Sequence, residues 1–210
     1  MDPITAGAAL VGGFLLFAKK KLSDLAQAAI NDVNAAYFSA SIPAGAQSYI
    51  DVIRQVADEQ KVDPFVIVAL GEQESKWGTA TGYQGTTGPS IIGTDQHGRG
   101  LMQLDDRTWG DWVNAYDWTD PYTNVTKGAQ VFAQALSYMQ KKGLQGDAAV
   151  QAALAGYNAG PGTVWNAIQA GDSPDSATAT GSYATEVYSS AVSYAGEFQN
   201  LLGGPAAAGA

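Results

Sequence analysis

Residues 63–78 read DPFVIVALGEQESKWG, and this stretch determines which kind of fold the chain can adopt. Asp63 and Pro64 form a typical helix start, since aspartate caps free backbone N–H groups and proline suits the first helical position. The run from Phe65 to Leu70 is apolar on every side, as in a helix at the centre of a domain. Gly78 predicts the end of the helix. The sequence therefore predicts a buried central helix with polar residues in its last turn.

Glu74 lies near the end of this predicted helix, beside apolar side chains. Ile67 and Leu70 precede it by seven and four positions, and Trp77 follows three positions later, so all can approach it. Such surroundings disfavour the ionised carboxyl and raise its pKa. A carboxyl that stays protonated near neutral pH can donate a proton to a leaving oxygen. Spacing alone leaves open the alternative that Glu74 is an ordinary helix-end glutamate facing solvent.

Helical spacing continues through most of the chain, which predicts a mainly α-helical single domain. Apolar residues make up 46% and charged residues 15% of the chain, enough to bury a sizeable core. The glycine-rich segment 79–100 is predicted as a long irregular loop or a small hairpin, and loops of this length are usually functional. Further helices are expected from about residue 47 and over residues 22–38, 125–142, 148–157, 163–170 and 183–202.

The chain ends differ in composition from this domain. Residues 1–21 contain an uncharged apolar run followed by three lysines, and a secretory signal has the reverse order. The run is short for a membrane span, which needs about 20 apolar residues. A membrane anchor is the favoured interpretation, ahead of a segment packed on a partner or folded back on the domain. Residues 22–46 are predicted as a helix and linker, 47–202 as the globular domain, and 203–210 as a fraying tail.

Composition excludes several classes of site. The chain has no cysteine, so it has no disulfide, thiolate metal site or cysteine nucleophile. It has one histidine, His97, which excludes a multi-histidine zinc site, and no metal or cofactor is expected. The formal net charge of −9 argues against a nucleic-acid partner. An acidic chain also gains no long-range attraction to an anionic surface.

Two aspartates are candidates for a second catalytic carboxylate. Asp95 lies in the glycine-rich segment, and Asp105 follows shortly after it. Cleavage of a glycosidic bond with inversion needs a carboxylate that activates water, roughly 6.5–9.5 Å from the acid. Either aspartate can serve, although aspartates in such segments often make turn hydrogen bonds. Asp105 and Asp106 are equally suited to cap a short helix containing Arg107.

Aromatic and amide side chains suggest a saccharide cleft. Tyr157 and Asn158 lie in a tight helix-to-helix turn, where a tyrosine can line a cleft and an asparagine can bind an acetamido group. The turn alone explains the neighbouring glycines. Four tryptophans offer flat faces for sugar rings, although tryptophans are more often core residues; they are Trp109, Trp112, Trp118 and Trp165.

Four short blocks, in order, resemble goose-type lysozymes and the related soluble lytic transglycosylases. They are Glu74–Ser75, the Gly-Leu-Met-Gln block at 100–103, the Tyr-Asn-Ala-Gly block at 157–160, and the Tyr-Ala-x-acidic-Val block at 183–187. The resemblance spans about residues 47–202. It implies a lysozyme-like fold with the glycine-rich loop or hairpin at the cleft.

The resemblance also implies roles for individual residues. Glu74 becomes the general acid. Asp105 aligns with an acidic residue of the goose-type branch, whereas Asp95 lies one place off the alignment, where Thr94 falls. Implied substrate contacts are Ser75, Met102, Gln103, Tyr157, Asn158 and Tyr183.

The function that follows is that of a muramidase acting on peptidoglycan glycan strands at the bacterial cell wall, outside the cytoplasm. It cleaves the β-1,4 bond between N-acetylmuramic acid and N-acetylglucosamine with inversion. The first alternative is a lytic transglycosylase forming 1,6-anhydromuramoyl products. The second is a virion or secretion-apparatus component that inserts residues 1–21 into a membrane.

Positive-inside reasoning places the lysine side of a spanning segment in the cytoplasm, which suits a wall enzyme only if a virus particle delivers it. The absence of disulfides fits a bacterial or phage origin.

Overall fold

The structure, a computed structural model, describes residues 34–84 and 87–203, with side chains up to residue 198. The predicted N-terminal segment 1–21, most of the predicted helix 22–38 and nearly all of the predicted tail lie outside the described residues. Within the described part of the chain, no helix is long and apolar enough to cross a membrane. Contacts divide the chain into two compact units, one of which is Ser41–Glu197.

The described residues are mainly helical, as predicted. Two short strands, β1 (Gly98–Arg99) and β2 (Leu104–Asp105), pair antiparallel, and a 3₁₀ helix covers Pro174–Ala177. The α-helices are α1 (34–41), α2 (Ala44–Gln47), α3 (Ile50–Gln60), α4 (Pro64–Ser75), α5 (Asp106–Ala115), α6 (Pro121–Lys141), α7 (Gly146–Ala159), α8 (Pro161–Gln169) and α9 (Tyr183–Gly203).

Helix α4 is the buried centre of the larger unit and begins as predicted. The Asp63 side chain accepts a hydrogen bond from the Phe65 backbone N–H (2.8 Å), and Pro64 occupies the first helical position. All residues from Phe65 to Gly71 are buried. Helices α2 and α3 pack against α4, and α6 packs in turn against α3, α7 and α8. Its buried side chains include Val125, Ala129, Phe132, Ala135 and Met139.

Helix α4 ends at Ser75, three residues before the predicted stop at Gly78. Lys76 and Trp77 both adopt left-handed backbone angles, with φ of 47° and 53°. The buried Trp77 ring folds back on the helix, and its Nε1 donates to the Val68 carbonyl (3.0 Å). A Cβ on Gly71 would lie 2.4 Å from this ring. The helix therefore ends where the backbone turns so that the Trp77 ring packs back on it, and not at Gly78.

The glycine-rich segment contains the start of a small hairpin, as expected, but the hairpin extends further along the chain. Its strands turn at Gly100, where φ is 71°. Isolated bridges join Ile92 to Gln84 and to Arg99. The first bridge lies within the long loop, and the second joins the loop to strand β1 of the hairpin.

Several predicted boundaries differ from the observed ones. Residues 39–45, expected as a linker, are largely helical, because α1 extends to residue 41 and α2 begins at Ala44. Helix α6 begins at Pro121, ahead of its predicted start, because Asp120 caps it through the Thr123 backbone N–H (2.8 Å). The apolar periodicity that predicted this helix starts only at Val125, after the polar cap.

Candidate active site

A cleft of about 450 Å³ opens between the end of α4, the hairpin and the end of α7. It brings together five of the residues predicted from the sequence, from segments far apart in the chain. These are Glu74, Gln103, Asp105, Tyr157 and Asn158. Trp109 from α5 also lines the cleft.

Glu74 is the enclosed acid of this cleft. Its side chain is largely removed from solvent, and this burial raises its pKa to about 7, while a hydrogen bond from Tyr183 lowers it. The Tyr183 hydroxyl donates to Glu74 Oε1. A carboxyl with this pKa is protonated in a large fraction of molecules at neutral pH, which suits proton donation.

Three tyrosine hydroxyls surround the acid. Besides Tyr183, Tyr83 donates to the backbone carbonyl of Glu74 (2.8 Å), and Tyr157 donates to the Met102 carbonyl (2.7 Å). Burial raises the pKa of Tyr157 and of Tyr183 well above the ordinary value, so both stay protonated as donors. Sequence reasoning missed Tyr83, which lies in the irregular loop without a pattern that marks it.

Three residues predicted to contact substrate are buried instead. One is Tyr183, whose hydroxyl is taken up by Glu74, and the others are Ser75 and Met102. Ser75 is fully buried; its hydroxyl donates to the Leu101 carbonyl (2.7 Å) and accepts from the Gly78 N–H (3.0 Å). The Met102 side chain is also fully buried and lies against Gly128. Neither side chain can touch a saccharide in this conformation. Ser75 therefore fixes the hairpin turn beside α4, and Met102 fixes it against α6.

Gln103 and Asn158 both line the cleft, each held by one hydrogen bond to the backbone. Gln103 has a left-handed φ of 44°, and its Nε2 donates to the Gly100 carbonyl (2.7 Å). Asn158 is exposed, and its Oδ1 accepts from the Ala179 N–H (3.1 Å). Each amide side chain keeps a further polar group that can bind a polar ligand; for Asn158 this is the amide nitrogen.

Arg107 joins the two candidate aspartates. Asp105 caps α5 by accepting from the Arg107 backbone N–H (2.8 Å), and it also receives the guanidinium Nε (3.0 Å). The same guanidinium reaches Asp95 (3.1 Å). Hydrogen bonding from Arg107 holds the pKa of Asp105 below its usual value. The backbone N–H of His97 does the same for Asp95. Asp105 therefore caps α5, as predicted, and also lines the cleft.

A second ionic group lies beside the first. His97 Nδ1 lies 2.7 Å from Asp106 Oδ1, and Arg99 pairs with the other oxygen of the same carboxylate. His97, Asp105 and Asp106 are close enough to offer ligands to a cation. However, Arg99 already pairs with Asp106, and Arg107 already pairs with Asp105. The group is therefore an ion-pair network of the hairpin.

Asp175 was also missed by sequence reasoning. This buried carboxylate accepts from the backbone N–H groups of Ala184 (2.7 Å) and Thr185 (3.0 Å), and from the Thr185 hydroxyl (2.6 Å). It therefore caps the start of α9, the helix whose first residue is Tyr183. Asp175 lies in the 3₁₀ turn that precedes α9, and no local sequence pattern points to its contact with that helix.

A mainly helical domain with an enclosed glutamic acid in a cleft is the arrangement expected of lysozyme-like enzymes that cleave glycosidic bonds. The family model for the transglycosylase SLT domain matches residues 51–179, more than half of the chain, and the chain belongs to this family. The predicted fold class and family are thereby confirmed. Members of the family are lytic transglycosylases related to glycoside hydrolases, and the substrate is peptidoglycan, outside the cytoplasm. No curated protein matches the chain.

Proposed function

We propose that the chain cleaves the β-1,4 bond between N-acetylmuramic acid and N-acetylglucosamine, with Glu74 as the general acid. The observation that carries the proposal is the enclosure of Glu74 at the cleft, which raises its pKa to about 7. In the reaction, the protonated carboxyl donates its proton to the glycosidic oxygen as the bond to the anomeric carbon breaks. Tyr183 orients the carboxyl through its hydrogen bond.

Hydrolysis is the favoured outcome, and Asp105 is the favoured second carboxylate. It lines the cleft with Glu74, and hydrogen bonds from Arg107 lower its pKa while burial raises that of Glu74. Two carboxyls whose pKa values are moved apart suit an acid and a base at the same pH. Asp105 would orient a water that attacks the anomeric carbon from the opposite face and gives inversion. Asp95 joins this group through Arg107.

Lytic transglycosylation is the second candidate, favoured by the hydrogen bonds that Asp105 already makes. Arg107 donates to both of its oxygens, which leaves Asp105 less able to bind and deprotonate a water. In this reaction the C6 hydroxyl of the muramic residue attacks its own anomeric carbon. Glu74 first gives a proton to the leaving oxygen and, as carboxylate, then takes the proton of that hydroxyl. The product is a 1,6-anhydro sugar, and no water is consumed.

Digestion of purified peptidoglycan in heavy-oxygen water, followed by mass spectrometry, tests the proposal. Hydrolysis gives reducing ends that carry one heavy oxygen, and transglycosylation gives unlabelled anhydromuropeptides. Glu74→Gln is expected to lower either activity by about a hundredfold to ten-thousandfold. The matched control is Glu72→Gln on the same helix, which should keep activity within about twofold. Full activity of Glu74→Gln would remove Glu74 from the mechanism.

A further inference from the structure

Helix α5 leads away from the cleft with its aromatic side chains only partly covered. Its cap, Asp105, and its first-turn residues Thr108 and Trp109 line the cleft. None of its ten residues, all of them described, is buried, although its apolar residues are grouped along the helix. The helix packs on the hairpin strands β1 and β2. An amphipathic helix with no buried residue leaves apolar surface available to another molecule.

Trp112 and Tyr116 form the outer part of this surface. Their rings stack, with centroids 5.9 Å apart and planes 23° apart. Tyr116 is 59% exposed, the largest value among the large apolar residues that the structure describes. Trp112 follows the cleft residue Trp109 by three positions, and Tyr116 is the residue at which α5 ends. The stack therefore continues outward from the residues that line the cleft.

The size of this surface suits a polymer that extends beyond the cleft. Tyr116 follows Trp109 by seven positions, which is about 10 Å along a helix, a length on the scale of a disaccharide. Trp109 has φ and ψ of −114° and 26°, so the helix kinks where it leaves the cleft. The Lys127 ammonium lies 3.8 Å from the centroid of the Trp109 ring, so that ring already has a cationic partner. Trp112 and Tyr116 instead stack on each other beside solvent.

The chemistry of the stack favours a saccharide. The faces of aromatic rings carry partial negative charge, and the C–H groups on the face of a pyranose carry partial positive charge, so the two surfaces attract while excluding water. The net charge of −9 gives the chain no long-range attraction to an anionic wall. Adhesion to the polymer must therefore come from short-range contacts such as these.

We propose that Trp112 and Tyr116 form an outer saccharide-binding site, which holds the peptidoglycan glycan strand outside the catalytic cleft. The inference rests on the proposed function, because the ligand is the same polymer. Its effect is to raise the affinity for long strands and insoluble wall, whereas a short oligosaccharide that fills only the cleft does not reach the stack.

Binding to insoluble peptidoglycan tests the site directly. Full-length Glu74→Gln is sedimented with purified peptidoglycan, alone and combined with Trp112→Ala and Tyr116→Ala. The combined alanine variant is expected to bind about tenfold more weakly. Replacement of both residues by phenylalanine retains the rings and should retain binding within about twofold. Tyr122→Ala, in the same background, is the matched control, since Tyr122 is a partly exposed tyrosine on α6.

A second measurement separates the outer site from the catalytic cleft. With Glu74 intact, the ratio of turnover on polymeric peptidoglycan to turnover on a short oligosaccharide should fall about tenfold in the alanine variant. Circular dichroism monitors folding, and the single Tyr116→Ala variant replaces the double variant if the latter unfolds.

Unchanged binding and an unchanged ratio in folded variants would overturn the outer site while leaving the proposed function intact. Loss of a concentration-dependent dimer, with peptidoglycan binding kept, would assign the stack to contact between copies of the chain and also overturn it. A parent protein that neither cleaves nor binds peptidoglycan would overturn the proposed function and the outer site together.

Discussion

The hydroxyl of Tyr183, the first residue of α9, donates a hydrogen bond to Oε1 of Glu74, 109 positions earlier in the chain. This bond stabilises the carboxylate and opposes the burial that raises the pKa of Glu74 to about 7. The pKa of Glu74 is therefore a balance between burial at the end of α4, which raises it, and the hydrogen bond from Tyr183 on α9, which lowers it. Residues that place Tyr183 thereby influence the acid without touching substrate.

Tyr183→Phe should move the alkaline limit of activity to higher pH. Loss of the hydrogen bond removes a cause that lowers the pKa of Glu74, so the acid stays protonated to a higher pH. We expect kcat/KM at the optimum to fall roughly ten- to a hundredfold, because the carboxyl loses its orientation. The control is Tyr188→Phe on the same helix, whose hydroxyl bonds to Asp147. A pH profile of kcat/KM that does not shift would contradict this role for Tyr183.

Asp175→Asn should act on Glu74 through Tyr183. The amide cannot accept from both backbone N–H groups and the hydroxyl as the carboxylate does, so the start of α9 loosens. The expected cost is about 1–2 kcal/mol in the free energy of unfolding, as for loss of a helix cap. The alkaline limit should move upward, as in Tyr183→Phe. Asp172→Asn, an exposed change in the same segment, is the control. Lower stability with an unmoved pH limit would restrict Asp175 to a structural role.

Arg107→Leu should move the acidic limit of activity to higher pH. Side-chain hydrogen bonds from Arg107 lower the pKa of Asp105, so their loss raises that pKa and the carboxylate is protonated earlier as pH falls. Arg54→Leu, an exposed change on α3, provides the comparison. An acidic limit that stays in place would mean that ionised Asp105 is not required, which favours the internal hydroxyl over water as nucleophile.

Glu74→Gln should stabilise the protein at alkaline pH. The pKa of Glu74 is raised from 4.5 to about 7 in the folded chain, so ionisation costs stability. The cost is absent below pH 4.5, grows between pH 4.5 and 7, and is complete above pH 7, where it reaches up to about 3 kcal/mol. Thermal unfolding of both proteins from pH 4 to pH 9 measures it. A stability difference that does not grow with pH would show that Glu74 is not enclosed as described.

Gly71→Ala should destabilise the fold. The new Cβ would lie 2.4 Å from the Trp77 ring, which is itself fully buried, so the ring or the helix must shift. Overpacking of this kind costs about 1–3 kcal/mol. Gly196→Ala on α9 is the matched control, since a Cβ there meets nothing within 4 Å and should be neutral or slightly stabilising. Chemical unfolding of the two variants gives the comparison, and equal stabilities would contradict the close packing of Trp77.

The sequence by itself determined the start of the central helix and its burial. Asp63 and Pro64 act on backbone groups within a few residues, and an apolar run from Phe65 to Leu70 reports burial on every side, so local chemistry is sufficient for both. The same run made Glu74 a candidate acid but left a solvent-facing side chain open, and only the packing around the cleft decided its enclosure. The four short blocks pointed to the family because their residues and their order can be read directly from the sequence, without knowledge of the fold.

Only the tertiary structure decided which side chains meet. Apolar periodicity indicates which face of a helix is buried, but it carries no information on the partner that covers the face. The bond from Tyr183 to Glu74, the cap that Asp175 places on α9, and the contact of Arg107 with Asp95 each join separate segments. Burial likewise turned Ser75 from a predicted saccharide contact into a support for the hairpin, because its hydroxyl is taken up by backbone groups.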